Sequence, residues 1–174
     1  MRIFSILILS LMLLGCNNTV QTSQASPDNE TSISVAYHSK MTKSDKRKYY
    51  NENDDVIYEV KYKPEGFKLR TPSSDLLWKI KLYDTKIKIS DNEENLNPYE
   101  IKLINQYEAK LVKEETEIAR IQFDAAQKLL HIKGETEKKL NKESYQPSIL
   151  VDMISQIPEI QRNIIKEELN RKGY

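Results

Sequence analysis

Three stretches of this chain repeat one pattern: FKLRTPSSDLLWKIK from Phe67, IKISDNEENLNPYEIK from Ile87 and AKLVKEETEIARIQ from Ala109. Each reads as a strand, a polar turn and a second strand. Leu69, Ile89 and Leu111 recur at intervals of 20 and 22, and Trp78, Tyr99 and Ala119 at 21 and 20. Ile80, Ile101 and Ile121 keep the same step. A period of two places alternate side chains on opposite faces of a strand. Stacked hairpins of this kind bury one shared face and turn the lysine-rich positions outward. Chance similarity between amphipathic strands is the competing explanation, since turn lengths vary.

The alternation begins at Val56, with Val56, Tyr58, Val60 and Tyr62 on one side and Glu59, Lys61 and Lys63 on the other. Pro64-Glu65-Gly66 then marks a turn. Short strands follow at 67–70 and 128–133, and a longer run carries Leu76, Trp78, Ile80 and Leu82. About eight strands are expected between residues 56 and 133. Residues 107–132, rich in Glu, Lys and Ala, also admit a helix. The strand reading sorts them better, with Ala119, Ile121 and Phe123 on one side and Arg120 and Gln122 on the other. The chain has only four glycines, so its turns must use Asn, Asp, Ser and Pro.

The period changes near the carboxyl end. Ile149, Leu150, Met153, Ile154, Ile157, Ile160, Ile164 and Ile165 recur at three and four, which predicts helix. Ser148 follows Pro147 as a candidate N-cap. Pro158 suits the first turn of a second helix, so the reading is two helices over about 148–156 and 158–171. The first is apolar nearly all round and needs burial on most sides. The fold class is mainly β (α+β): a curled antiparallel sheet or reduced barrel packed on C-terminal helices. The expected core is Val60, Leu69, Trp78, Ile80, Ile89, Tyr99, Ile101, Leu111, Ile121, Phe123, Leu150 and Ile154.

Residues 1–15 read as a signal peptide: Arg2, then an apolar run over 3–14 that is too short to span a bilayer. It ends Leu13-Leu14-Gly15-Cys16, which resembles a bacterial lipobox and implies cleavage before Cys16 and diacylglyceryl modification of its thiol. An ordinary secretory signal with an incidental cysteine is the alternative. Cys16 is the only cysteine, so an intramolecular disulfide is excluded. Two or three acyl chains would hold the chain on a membrane without spanning it. Asn17 beside the cysteine leans towards the outer membrane. Residues 16–52 read as a polar and basic tether, and 53–174 as the folded domain. Lys40, Lys43, Lys46, Arg47 and Lys48 lie in that tether, where an anionic bilayer would attract each by about 1 kcal/mol. A solvated linker is the plainer reading.

Little of the sequence speaks for catalysis. There are two histidines, His38 and His131, and no pairing of Cys or His with zinc-ligand spacing. Ser73-Ser74-Asp75 lacks the glycines of a nucleophile elbow. Residues 91–97, DNEENLN, offer oxygen ligands, but Leu96 and Lys102 stand where a calcium-binding EF-hand loop needs Gly and Glu. No catalytic residue, metal site or cofactor is expected. Lysine and arginine number 27 against 26 acidic residues, so no global excess points to nucleic acid. A local excess does exist over residues 56–90, where Lys79, Lys81, Lys86 and Lys88 join the outward face. Such a face could orient the domain on lipid headgroups, or its lysines could simply protect exposed strands.

The hairpin units and the run Leu76-Leu77-Trp78-Lys79-Ile80-Lys81, followed by an apolar C-terminal helix, resemble the tubby C-terminal, scramblase and LURP-one-related superfamily. The resemblance covers roughly residues 56–157. It implies an antiparallel barrel curled around an apolar helix and, in some members, contact with phosphoinositides or other membrane lipids. This chain has fewer strands than that plan, lacks its turn glycines and adds a second helix, and no lipid-binding residue transfers by position. The expectation is a lipid-anchored module of the bacterial cell envelope that binds without catalysis. Its partner would be anionic lipid, with an envelope protein or an assembly role as alternatives and a hydrolytic enzyme as a weaker one.

Overall fold

The computed structural model describes residues 37–174. Eleven antiparallel strands form a single sheet in chain order. They are β1 (His38–Lys43), β2 (Lys46–Tyr50), β3 (Val56–Lys63), β4 (Gly66–Arg70), β5 (Leu76–Tyr83), β6 (Lys86–Ser90), β7 (Tyr99–Asn105), β8 (Glu108–Lys113), β9 (Thr116–Asp124), β10 (Leu129–Lys133) and β11 (Lys138–Asn141). Each pairs with the next. The sheet is open, with β1 and β11 as its edges.

The repeat is longer than the three units visible in the sequence. One backbone hydrogen bond recurs between successive hairpins. The amides of Tyr62, Leu82, Leu103, Phe123 and Lys142 donate to the carbonyls of Asp45, Glu65, Thr85, Tyr107 and Lys128, at 2.7–2.9 Å. Each hairpin end is thereby tied to the strand that follows. Gly66 makes one such end possible. Its φ is +147°, and a Cβ there would sit 2.1 Å from the Ile80 carbonyl oxygen. At the opposite end of the sheet the β8–β9 turn does without glycine. Glu114 and Glu115 join β8 to β9 with φ of 48° and 68°. This is the double left-handed turn that suits a two-residue hairpin, but it is strained for glutamate.

Three expectations need correction. The strands number eleven, not about eight, because β1 and β2 lie inside the segment read as tether and β11 follows the last expected strand. The sheet does not close into a barrel. The first C-terminal helix is a 3-10 segment, Pro147–Met153, and only Glu159–Asn170, α1, is α-helical. Two prolines explain the short form. Pro147 opens the segment, and Pro158 disfavours helical backbone just before it, leaving too few residues for stable α-helical turns. Ser148 makes no cap; its Oγ donates to Asn170 Oδ1 at 2.5 Å and pins the segment to the end of α1.

One face of the sheet holds the core. Buried side chains from β2 to β10 join Leu150, Val151, Ile154, Ile157, Ile164, Ile165 and Leu169 in one cluster. Eleven strands would span about 48 Å if flat, while a twelve-residue helix is about 18 Å long. So short a cover can bury so many strands only if the sheet curves around it, as wide twisted sheets do. The 3-10 segment packs on β7, β8 and β9. Helix α1 reaches the β2–β5 half, where Trp78 Nε1 donates to Gln161 Oε1 at 2.7 Å. Of the expected core, eleven residues are buried, and Phe123 is only half-buried. It lies opposite Leu130 near the β9–β10 turn, with its ring beside that of Tyr107.

Leu150 is fully buried at the centre of this packing. Leu150→Ala should cost about 2–5 kcal/mol in urea unfolding, whereas an outward position should cost little. Glu115→Gly should relieve the left-handed strain and raise stability by about 1 kcal/mol in the same assay.

Candidate anion-binding sheet face

The face of the sheet away from the core is laid out by strict register. Directly opposite residues point to one side, so cations line up across strands. Lys43, Lys46, Lys61, Lys68 and Lys79 form one row over β1–β5. Lys86, Lys102, Lys110, Arg120 and Lys133 form a second over β6–β10. Lys81 and Lys88 lie opposite each other on the same face, as do Lys40 and Lys48. Like charges set directly opposite are destabilising, by roughly 0.2–1 kcal/mol a pair. The sequence repeats this arrangement on strand after strand.

Four groups of carboxylates temper the field. Glu59 is held by Lys46 at 2.7 Å and Lys48 at 3.1 Å. Glu93 leans over from the β6–β7 turn to Lys68 at 2.5 Å, Arg70 at 2.8 Å and Lys79 at 3.9 Å. Glu100 serves Lys88 at 3.0 Å, Lys86 at 3.6 Å and Lys102 at 3.7 Å. Glu117 and Glu108 share Arg120, and Glu117 also meets Lys110 at 3.6 Å. Each of the first three carboxylates serves two or three cations, so the face stays net positive. Lys61 and Lys133 have no ion-pair partner among the described residues.

Burial alone would raise the Glu59 carboxyl, but the hydrogen bonds from Lys46 and Lys48 outweigh it and hold the group below its ordinary value. Glu100 is lowered in the same way, with Lys88 overcoming the cost of desolvation. Glu93 is lowered chiefly by the hydrogen bond from Lys68. The aliphatic lysine stems cover the sheet while their ammonium groups reach water, which is why Glu59, on an outward face, is 5% exposed.

The residues singled out from the sequence divide clearly. Lys79, Lys81, Lys86 and Lys88 share the cationic face with Lys40, Lys46 and Lys48, and Lys43 sits opposite Lys46 beside the β1–β2 turn. Most are paired rather than free; Lys81, for example, lies 3.9 Å from Glu65. The ammonium of Lys40, which is exposed, lies 4.9 Å from the centre of the Tyr50 ring. Arg47 is the correction. It lies opposite Val60, on the core face, and its Nε is 3.2 Å from the buried Glu168 carboxylate. Cys16 lies outside the described residues.

Glu168 also accepts from Tyr49 at 2.6 Å and Tyr62 at 2.8 Å. Burial and that carboxylate push Tyr49 far above its ordinary range. Burial carries Tyr62 up to about 12, even though its hydrogen bond from Arg47 works the other way. This network ties α1 to β2 and β3; it is scaffold for the face rather than part of it.

In the DNEENLN turn two asparagine oxygens are spent on the turn itself, and Glu93 reaches across to Lys68 and Arg70. Asn92 Oδ1 accepts from the Leu96 amide at 2.7 Å, and Asn95 Oδ1 from Ser90 Oγ at 2.8 Å. Among the described residues no group of three or more His, Cys, Asp or Glu side chains is placed to hold a metal. A cavity of about 260 Å³ lies between β9, β10 and the C-terminal elements, lined by Ile118, Ile132, Met153, Asp152 and Arg162 among others. Asp152 is committed to Lys166 at 2.7 Å, and neither histidine lines the space.

Sequence reasoning missed the β1–β2 unit and the pairing carboxylates. A signal for the first was present, since Lys48, Lys68 and Lys88 recur at intervals of 20. The carboxylates gave none, because Glu93 lies 25 residues from Lys68. Comparison with protein-family models, curated proteins and solved structures finds no match to this chain.

Glu59 and Glu100 bind protons less tightly when folded, so their contribution is complete above the ordinary carboxyl value of 4.5 and fades as pH falls through their lowered values. Thermal unfolding followed from neutral to acid pH should show stability dropping below about pH 4.5. Glu59→Gln with Glu100→Gln should be less stable at neutral pH and show a shallower acid loss.

Proposed function

We propose that this chain is a bacterial envelope lipoprotein, anchored through Cys16 with the outer membrane favoured, that acts without catalysis by laying its cationic sheet face on anionic lipid headgroups. The observation that carries this is the pair of cation rows. Two sets of like charges run directly across neighbouring strands, against the local rule for stable sheets. Local rules of this kind are broken mainly where function requires it.

The other features agree with this reading. The twenty or so residues between Cys16 and β1 allow a reach of at most about 70 Å, so an anchored domain would be held close to the bilayer at high effective concentration. Individual cations near an anionic surface gain about 1 kcal/mol each, enough to orient a domain already held there. No helix of the described residues is long and apolar enough to cross a membrane. The resemblance to tubby, scramblase and LURP-one-related domains supports the reading in plan alone, as hairpins packed on an apolar C-terminal segment.

A protein partner adding a strand to the sheet is less favoured. Edge strand β1 carries Lys40 and Lys43, and β11 carries Lys138 and Lys139, the usual guard against edge pairing.

The test uses the chain from Asn17 onward, which retains every described residue without the apolar leader or the cysteine. It should sediment with phosphatidylglycerol vesicles at low salt, fail to sediment with phosphatidylcholine alone, and release as salt rises from roughly 0.1 M to 1 M. Lys61→Ala with Lys133→Ala should weaken binding roughly thirtyfold, from about 1 kcal/mol per cation. Absence of sedimentation at every salt concentration would end the proposal.

A further inference from the structure

Six large apolar side chains stand exposed among the described residues, and three of them crowd one place. Tyr83 is 39%, Ile104 48% and Tyr107 44% exposed. The other three are scattered: Met41 on β1, Leu140 on β11 and Leu96 on the β6–β7 turn. In a meander the turns alternate between two ends of the sheet. Tyr83 precedes the β5–β6 turn and Tyr107 lies in the β7–β8 turn, which share an end; Leu96 lies at the other. Ile104 occupies the irregular position between Leu103 and Asn105, next to that same end.

This cluster is held rigidly. The Leu103 amide donates to the Thr85 carbonyl at 2.9 Å, tying the β5–β6 turn to β7, and the Phe123 amide donates to Tyr107 at 2.8 Å. The Tyr107 ring lies 6.4 Å from that of Phe123. Cations flank it at once: Tyr83 faces Lys86 in register, with the Lys86 ammonium 5.9 Å from its ring centre, and Lys86 faces Lys102. Among nearby acids, Glu108 is engaged by Arg120, and Asp84 sits at the tip of the β5–β6 turn, two residues before Lys86.

We propose that these two hairpin ends are the edge by which the domain enters the interfacial layer of an anionic bilayer. Tyr83, Ile104 and Tyr107 would sit at the boundary of the acyl chains, and Lys86 and Lys102 among the headgroups. Tyrosine suits that depth, with an apolar ring and a polar tip, and apolar burial combined with cationic attraction is how peripheral elements hold to membranes. The proposal rests on the lipid-binding reading above and deepens it: the rows orient the domain, and this end makes the contact that salt does not screen.

The test places a tryptophan in the chain from Asn17 onward, either as Tyr107→Trp or, at the opposite end, as Leu96→Trp. The native Trp78 is 8% exposed and engaged by Gln161, so it contributes a shielded background. On phosphatidylglycerol vesicles with brominated acyl chains, Tyr107→Trp emission should shift to the blue and be quenched, with Leu96→Trp unaffected. Combined Tyr83→Ser, Ile104→Ser and Tyr107→Ser should weaken binding about tenfold or more, leaving the salt slope unchanged. Sedimentation without quenching at position 107, or with equal quenching at 96, would overturn this edge while leaving the lipid-binding reading intact. No sedimentation with any vesicle, and a protein partner in its place, would remove both.

Discussion

The structure depends on one-sided burial. A meander of eleven strands has an apolar face far wider than its own turns can cover, and among the described residues only a short 3-10 segment and a twelve-residue helix cover it. The sheet must curve for that cover to suffice, and the curve must hold. Recurring backbone bonds between successive hairpins fix the spacing of units, while Ser148 ties the two parts of the cover together and Gln161 and Glu168 fix it to the sheet. The Glu168 network is expensive to desolvate, and an apolar replacement of the whole group could be as stable. What the network adds is registry: Tyr49, Tyr62 and Arg47 meet one carboxylate in one position of α1.

Because burial claims one face, the other is left to charge. Lysine stems shield the backbone there, and a few carboxylates each serve several ammonium groups. The outcome is a field that is stable at neutral pH yet keeps a positive excess, arranged in lines rather than scattered. A surface evolved only for solubility would intersperse the two signs. The second line begins at Lys86, opposite Tyr83, so charge and exposed aromatic surface adjoin at that end of the sheet.

Most of the sheet was legible because period-two alternation is a local signal and the repeat imposed it again and again. Where reading failed, a local pattern depended on something distant. Arg47 occupies a core-face position held in the next units by Phe67 and Ile87, so β2 resembled a basic linker until Glu168, far along the chain, supplied its partner. The helical period of residues 149–157 was real, but two prolines shortened the backbone hydrogen bonding to a 3-10 form. Positive φ at Glu114 and Glu115 breaks turn preferences that sequence alone must trust. On the candidate face, Lys79, Lys81, Lys86 and Lys88 could be seen from alternation, but the cross-strand lines they join needed the register, and Glu93 needed the fold of its turn.

The C-terminal segment is the core on which the open sheet packs, not an appendage. Amide hydrogen exchange of the folded domain tests this most directly. If the claim holds, the amides of α1 around Ile164 and Ile165 will be as protected as those of β6 to β9, and all will open together as denaturant is added. If α1 exchanges rapidly while the central strands stay protected, the sheet stands without its cover and the account is wrong.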